Sequence, residues 1–415
     1  MTTHASSADR TTSLLEDAAA LAPDVTHLRH RLHREPEIGL ELPRTQEKVL
    51  EWLDGLGLEV STGRDTTSVT AVLRGGAGED RTGRVPSVLL RGDMDALPVT
   101  ERTGLEYASV IDGAMHACGH DLHTAMLAGA ATLLSARRDQ LPGDVVFMFQ
   151  PGEEGYDGAS VMIDEGVLDA PGRRVDAAYG QHVMAGLAAG GQVLGRPGTT
   201  MSSSAALFVD VIGRGGHGSA PHLAADPVPA AAEIIGAIQA FVTRRFDVFD
   251  PVVVTVGVLR AGTKRNIIPD TAHLEATVRA FSHRSKEVLA RELPSLVRSV
   301  AAAHGLDAAV EYKEEYPLTV NNPLEFDRAA RSARELLGDS RFEAMPVPLS
   351  GSEDFSRVLH EVPGAFVYLS AVPEGVDPAT VAFNHSPRAV FDDKVLATGT
   401  ALYARLAMDR LEVGA

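Results

Sequence analysis

Nine consecutive residues, Met115-His116-Ala117-Cys118-Gly119-His120-Asp121-Leu122-His123, gather imidazole, thiol and carboxylate donors, and Gln150-Pro151-Gly152-Glu153-Glu154-Gly155 follows a short reach later. Cys118 is the only cysteine in 415 residues, so it has no disulfide partner within the chain. A lone thiol flanked by histidines is better placed to bind a metal than to crosslink. In a Glu-Glu pair, one carboxylate can hold a metal while its neighbour takes a proton from a water that the metal activates. The combination points to metal-assisted hydrolysis.

Each piece alone has an ordinary structural reading. Cysteine is often a small buried hydrophobe, and Cys118 with His120 gains weight only beside His116, His123 and the downstream acids. Glu153 and Glu154 could be solvated loop carboxylates. Their place after a strand and Pro151-Gly152 argues for a functional turn. His182 and His385 would each pass for a hydrogen-bonded core histidine or a turn cap. His217, in Gly213-Arg214-Gly215-Gly216-His217-Gly218, lies where glycines permit close approach to a ligand. Asn266 and Arg279 are candidate polar anchors for a substrate carboxylate. His27, His30 and His33 share a helical face and read as a solvated or packed surface, since no acidic partner accompanies them in sequence.

Positioning these groups requires an alternating scaffold. The first 23 residues read as a loose lead-in, followed by a helix over Val25–Arg34 that ends before Pro36. A second helix spans Thr45–Leu56, with Trp52 and Leu53 on its apolar side. Strands are expected at Ser87–Leu90, Val145–Phe149 and Ala177–Tyr179, with a long helix over Asp121–Arg137. Alternating strands and helices imply a mainly parallel sheet. Asp93, Asp95, Glu153, Glu154 and His182 then fall at the C-terminal ends of strands, the edge where open α/β sheets bind ligands.

The texture changes near Arg196-Pro197-Gly198. Strands at Ala206–Ile212, Val252–Leu259, Ala272–Ala280 and Ala309–Glu315, with helices at Pro227–Arg244 and Ser285–Ala303, give the β-α-β-β-α-β order of a ferredoxin-like sandwich. The first pattern resumes near Pro317, with a helix over Leu324–Leu337 and a strand over Ala365–Leu369. The glycines of Arg74-Gly75-Gly76-Ala77-Gly78 lack the spacing and following helix of a phosphate cradle and read as a turn.

The formal net charge is −18 and the pI about 5.3, which excludes a nucleic-acid partner needing clustered Lys and Arg. One cysteine suits a reducing compartment. The N-terminus lacks the apolar core of a signal peptide, and no run of about 18 apolar residues suggests a membrane span. A cytoplasmic enzyme is the expectation.

The motifs Gly92-Asp93-Met94-Asp95-Ala96-Leu97-Pro98, Met115–Asp121, Gln150–Gly155, Gly216-His217-Gly218-Ser219-Ala220-Pro221-His222, Gly351-Ser352-Glu353-Asp354-Phe355 and Asn384-His385-Ser386-Pro387 occur in this order. Together they resemble the dinuclear metallo-amidohydrolases. These include hippurate hydrolase, bacterial N-acyl-amino-acid amidohydrolases and plant auxin-conjugate hydrolases, relatives of aminoacylase and of glutamate-releasing carboxypeptidases. The resemblance spans roughly Val25–Arg405. It implies an α/β fold: a mainly parallel-sheet catalytic domain (1–197 and 314–415) with an inserted ferredoxin-like α+β lid and dimerisation domain (198–313).

The resemblance also assigns Cys118, His120, Glu154, His182 and His385 as ligands of two divalent ions. Mixed Cys/His/Glu ligation suits Zn²⁺, with Mn²⁺ or Co²⁺ as alternatives. It makes Glu153 the general base and His217 the group reaching the reacting carbonyl from the other subunit of a homodimer. Where distant relatives read His-x-Asp this chain has Asp93-Met94-Asp95, which argues against a metal role for Asp93, and Asp95 is read as orienting a ligand or Glu153. Asn266, Arg279 and the backbone near Gly351 are the candidate substrate anchors. The implied substrate is an N-acyl amino acid. The alternative, a dipeptidase or carboxypeptidase, needs an acidic residue placed for a free ammonium, and the sequence reveals none.

Overall fold

The computed structural model describes residues 7–77 and 84–414. Met1–Ser6 and Gly78 of the glycine turn lie outside them. The chain forms two compact units: Met1–Thr200 with Val320–Val347 and Asp354–Ala415, and Met201–Thr319 with Pro348–Glu353.

The first unit is built on an eight-stranded sheet. Its strands are β1 (Glu59–Thr62), β2 (Val69–Leu73), β3 (Ser87–Asp93), β4 (Asp144–Gln150), β5 (Ala177–Met184), β6 (Val193–Gly195), β15 (Phe342–Ala344) and β16 (Gly364–Ser370), in the order β1-β2-β4-β3-β5-β16-β6-β15. The central pairs β4/β3, β3/β5 and β5/β16 are parallel, as is β6/β15, while β1/β2, β2/β4 and β16/β6 are antiparallel. Every residue of β3, β4, β5 and β16 is buried, which is why these strands read as unbroken apolar runs rather than alternating ones.

The helices of this unit are α1 (Ser7–Arg34), α2 (Pro43–Leu53), α3 (His120–Ser135), α4 (Gly158–Asp164), α7 (Pro323–Leu337), α8 (Phe355–Glu361) and α9 (Val395–Gly414). Helix α3 packs against β3, β5, α1 and α9 and is buried on nearly all sides. The approach of α9 is so close that a Cβ on Gly399 would collide with Met126 Sδ. Trp52 of α2 donates its indole N–H to Ala128 O of α3 at 2.9 Å.

The expected loose lead-in is incorrect: α1 begins at Ser7 and passes through Pro23. Leu14, Ala18, Val25, Leu28 and Leu32 form a buried stripe at helical spacing. An internal proline costs about 3 kcal/mol, whereas burying each large apolar side chain contributes about 1.5–3 kcal/mol, so the stripe wins. The same helix packs its histidines as expected but gives two of them acidic partners. His33 is buried and bonds Asp121 Oδ2 at 2.8 Å and Glu101 Oε1 at 3.3 Å, and His30 meets Asp393 at 2.8 Å. The acidic partners come from elsewhere in the chain.

The second unit contains β8 (Ser203–Ile212), β9 (Gly216–His217), α5 (Pro227–Arg245), β10 (Val252–Ala261), β11 (Ile267–Ile268), β12 (Thr271–Ala280), α6 (His283–Ala303) and β13 (Asp307–Tyr316). Two short strands, β7 (Gly198–Met201) and β14 (Thr319–Asn321), lie where the chain passes between the units. The sheet order β10-β12-β8-β13, all antiparallel, is the ferredoxin-like arrangement. Leu207, Val209, Val211, Leu274, Ala276 and Val278 point toward Ile234, Ile238, Leu289, Leu293 and Val297 of the two helices. The other sheet face is uncovered within the unit, and Arg279 stands on it beside Ser204 in register. Among the described residues no helix is long and apolar enough to cross a membrane.

Candidate metal centre

The C-terminal ends of β3, β4 and β5 converge with two loops. Gly119, the residue before α3, has φ +85°, and a Cβ there would collide with Val183 Cγ2. Only glycine satisfies both the left-handed backbone and the close approach. The turn sets Cys118 and His120 against the end of β5. From the far end of the chain, His385 N–H donates to Ala117 O at 2.8 Å. Asn384 donates to Cys118 O (3.2 Å) and Val183 O (3.1 Å) and accepts from Ala185 N–H (2.8 Å). Residues 117, 183 and 385 are thereby stitched into one site.

Donor atoms of Cys118, His120 and His182 lie within 4.8 Å of one another, as do those of Cys118, Glu154 and His385, and those of His120, Glu153 and Glu154. His385 Nε2 is 3.2 Å from both Cys118 Sγ and Glu154 Oε1, and His182 Nε2 is 3.5 Å from the sulfur. All five residues expected to ligate metal are thus brought together, with Glu153 beside them. His182 donates Nδ1–H to Val183 O at 2.8 Å, which leaves the Nε2 lone pair facing the cluster, the arrangement usual for a metal-ligating histidine.

The set fits divalent ions. His120 is 1 % exposed, yet its ring nitrogens meet their polar neighbours only at long range, Nδ1 lying 3.4 Å from Asp95 Oδ1 and Nε2 3.7 Å from Asp93 Oδ2. Buried nitrogens so loosely met in a native interior call for an ion or water. The Cys118 and Glu154 partners push His385 up to about 10, and a field that strongly favours a proton there also favours a metal cation.

Asp95 accepts from Glu153 N–H and Glu154 N–H, one oxygen each, both at 3.0 Å. It fixes the backbone of the carboxylate pair. Asp93 is occupied differently: Arg91 holds one oxygen and His123 Nδ1 the other, at 2.5 Å. Burial opposes its charge, but Arg91, His120 and His123 outweigh burial and hold it well below the usual carboxylate range. His116 is also buried without a partner, but it belongs to none of the donor groups, and burial pushes it down to about 3 and keeps it neutral.

The family model of Peptidase family M20/M25/M40 matches residues 89–409. Thermostable carboxypeptidase 1 of Saccharolobus solfataricus is 35 % identical over 96 % of this chain and 98 % of its own length. Hippurate hydrolase of Campylobacter jejuni is 34 % identical over 96 % of this chain and all of its own. The solved YXEP protein of Bacillus subtilis, a dinuclear metal-binding M20 peptidase, superposes with a TM-score of 0.79 at 30 % identity, covering 95 % of this chain and 99 % of that one. The chain belongs to the peptidase M20 family. It is accordingly a hydrolase of the M20 peptidase and amidohydrolase class, and its donor cluster matches the dinuclear character of that M20 neighbour.

The second unit of this M20 chain carries the remaining expected residues in two separate places. His217 pairs with Ile267 across β9 and β11, and Gly218 N–H donates to Asn266 O at 2.9 Å, so His217 and Asn266 are neighbours. Ser219 N–H donates to His217 Nδ1 at 3.2 Å, which leaves Nε2 as the protonated nitrogen of an exposed ring. Arg279 lies at the opposite end of β12 and donates to Ser352 Oγ at 2.7 Å, next to Gly351, whose carbonyl accepts from Ser202 N–H at 3.0 Å. Thr271 and Arg279 are eight residues apart on one strand, roughly 27 Å, so Asn266 and Arg279 are not brought to one point within a chain.

Sequence reasoning did not single out the buried support behind the cluster. Arg91 spans Gln150, Asp93 and Asp354. Burial pushes Asp354 up to about 6 against the pull of Arg91. Arg91, Gln150 and Asp354 stand in or beside the motifs already noted, but nothing in the sequence says that they meet.

Proposed function

We propose that this M20 hydrolase cleaves the amide bond of N-acyl amino acids at a dinuclear centre held by Cys118, His120, Glu154, His182 and His385. The observation that carries the reading is the convergence of these five donors beside Glu153 on a turn clamped by Asp95. Two divalent ions bound there would polarise the substrate carbonyl and bring the acidity of a water toward neutral pH. The thiolate and imidazole donors suit Zn²⁺, and Mn²⁺ or Co²⁺ can satisfy the same set.

Glu153 is the proton carrier. It accepts the proton of the attacking water and delivers it to the leaving nitrogen. Glu153 is buried, which limits competition from bulk water for that proton. Asp95 keeps Glu153 and Glu154 facing different partners by holding both of their backbone N–H groups. His217, with Nε2–H free to donate, stabilises the developing oxyanion from the second subunit of a homodimer joined through the inserted unit. Asn266 travels with His217, whereas Arg279 and the Gly351 backbone belong to the other end of the sheet. The two anchor groups therefore serve one substrate only if they come from different chains.

The carboxypeptidase relative at 35 % identity supports a second reading, in which the substrate carries a free ammonium. Metal-reloaded protein assayed on an N-acetyl amino acid and on the matching free dipeptide separates the two. Faster turnover of the N-acetyl compound is expected, and turnover of the dipeptide alone overturns the N-acyl assignment.

A further inference from the structure

Beyond Gly180, β3 no longer pairs with β5, because the last paired residues are Arg91 and Gly180. The N–H groups of Gln181 and Val183 on that side lose their ladder partners. Side chains replace them: Gln181 N–H donates to Tyr403 Oη at 3.1 Å, and Val183 N–H donates to His123 Nε2 at 2.7 Å.

The second bond settles the state of His123. A backbone N–H can only donate, so Nε2 is an acceptor and the ring proton sits on Nδ1, directed at Asp93 Oδ1 at 2.5 Å. Both nitrogens are consumed, so His123 is not a ligand although it lies within reach of His120 and Asp93. The carbonyl of the same residue, Val183 O, accepts from His182 Nδ1 at 2.8 Å and from Asn384 Nδ2 at 3.1 Å. Arg91 anchors the far oxygen of Asp93, and Thr124 Oγ1 donates to Asp93 O at 2.7 Å. Arg91, Asp93, His123 and His182 are each buried, at 8 % exposure or less.

We propose that Asp93 and His123 are positioning residues for the metal centre: they hold the Val183 amide in place of the missing β3 partner, and so aim the His182 imidazole and the Asn384–His385 loop at Cys118. The inference rests on the ligand assignment of His182 and His385 made above. It gives Asp93, which stands where distant relatives have a histidine, a role that needs no contact with the ion.

Two substitutions divide the device. Asn at position 123 can donate to Asp93 but is too short to reach Val183. Gln places an amide oxygen near the position of Nε2, where it can accept from Val183 N–H. Co²⁺ affinity is measured by competition with a chelator, and the visible spectrum of the Co²⁺-loaded protein reports the thiolate and imidazole geometry. Wild-type protein binding two Co²⁺ per chain is the control on the ligand assignment, and failure there overturns that assignment, separately from the outcome for the variants. With that control met, His123→Asn should bind one Co²⁺ about 10–100-fold more weakly, the usual scale for losing a hydrogen-bond partner behind a metal ligand, with an altered spectrum. His123→Gln should recover most of both. Wild-type affinity and spectrum in His123→Asn, or equal losses in the two variants, overturns the proposal. Apo-protein melting at the wild-type temperature for His123→Gln confirms that the comparison is made on folded chains.

Discussion

The metal rim and the inserted unit hold their polar groups in different ways. At the rim, four of the five candidate ligand residues are fixed by a hydrogen bond: Cys118 O accepts from Asn384 Nδ2, His182 Nδ1 donates to Val183 O, His385 N–H donates to Ala117 O, and Glu154 N–H donates to Asp95 Oδ2. His217 sits exposed in a two-residue strand bonded to its own loop, and Arg279 donates to Ser352 Oγ. Metal ligation tolerates errors of tenths of an ångström, so the rim is built rigid. Groups that meet a substrate entering from solvent can be held by fewer bonds and adjust on binding.

The largest effect should come from the rigid side. Cys118→Ala removes a donor shared by the group with His120 and His182 and the group with Glu154 and His385, so metal content should fall and activity should fall with it. Metal analysis after dialysis checks this, and unchanged stoichiometry with unchanged melting would make Cys118 a packing residue.

The adjustable side should respond differently. His217→Ala should lower kcat by about 100-fold, the scale of a lost oxyanion donor, while metal content stays at two per chain. Mixing His217→Ala with Glu153→Gln protomers should restore activity, because one site of each hybrid dimer has both groups intact. If exchange is demonstrated and no activity returns, His217 does not act across subunits.

A smaller effect should appear behind the rim, at the buried contact of α1 with Glu101. Glu101 accepts from Ser109 N–H at 2.6 Å, from Thr103 and from His33. Burial opposes its charge, but these bonds outweigh burial and hold Glu101 down to about 2, below an ordinary value near 4.5. A depressed carboxylate contributes stability that is fully present above its unfolded value and is lost as pH falls through the folded one. Glu101→Gln should therefore cost about 1–3 kcal/mol near neutral pH, and the difference from wild type should shrink between about pH 4.5 and 2. Denaturant melts of both proteins across that range check the sign, and a gap that widens on acidification contradicts it.

How much of this is legible in sequence differs between the same two regions. The rim can be read because short consecutive motifs carry its donors, and strand ends place those motifs without long-range detail. The supporting bonds cannot. His123 reads as one more donor in a histidine-rich loop, and its partner Val183 appears only once β3 leaves β5. Helix α1 reads too short because its Ala-rich, Pro-containing start hides a stripe that has meaning only against α3 and α9. In the inserted unit, alternation marks the strands at Ala206–Ile212, Val252–Leu259 and Ala272–Ala280, since one face is buried and the other is not. Asn266 and Arg279 read together as anchors because sequence does not show that the length of β12 separates Arg279 from the β9–β11 pair beside Asn266.

The role that separates two adjacent carboxylates is the most direct point of test. Glu153→Gln keeps size and the Asp95 clamp on the backbone but cannot accept a proton. In metal-reloaded protein, kcat on an N-acetyl amino acid should fall by at least about 100-fold while metal content and the Co²⁺ spectrum stay as in wild type. Turnover within a few-fold of wild type at full metal occupancy would contradict the account.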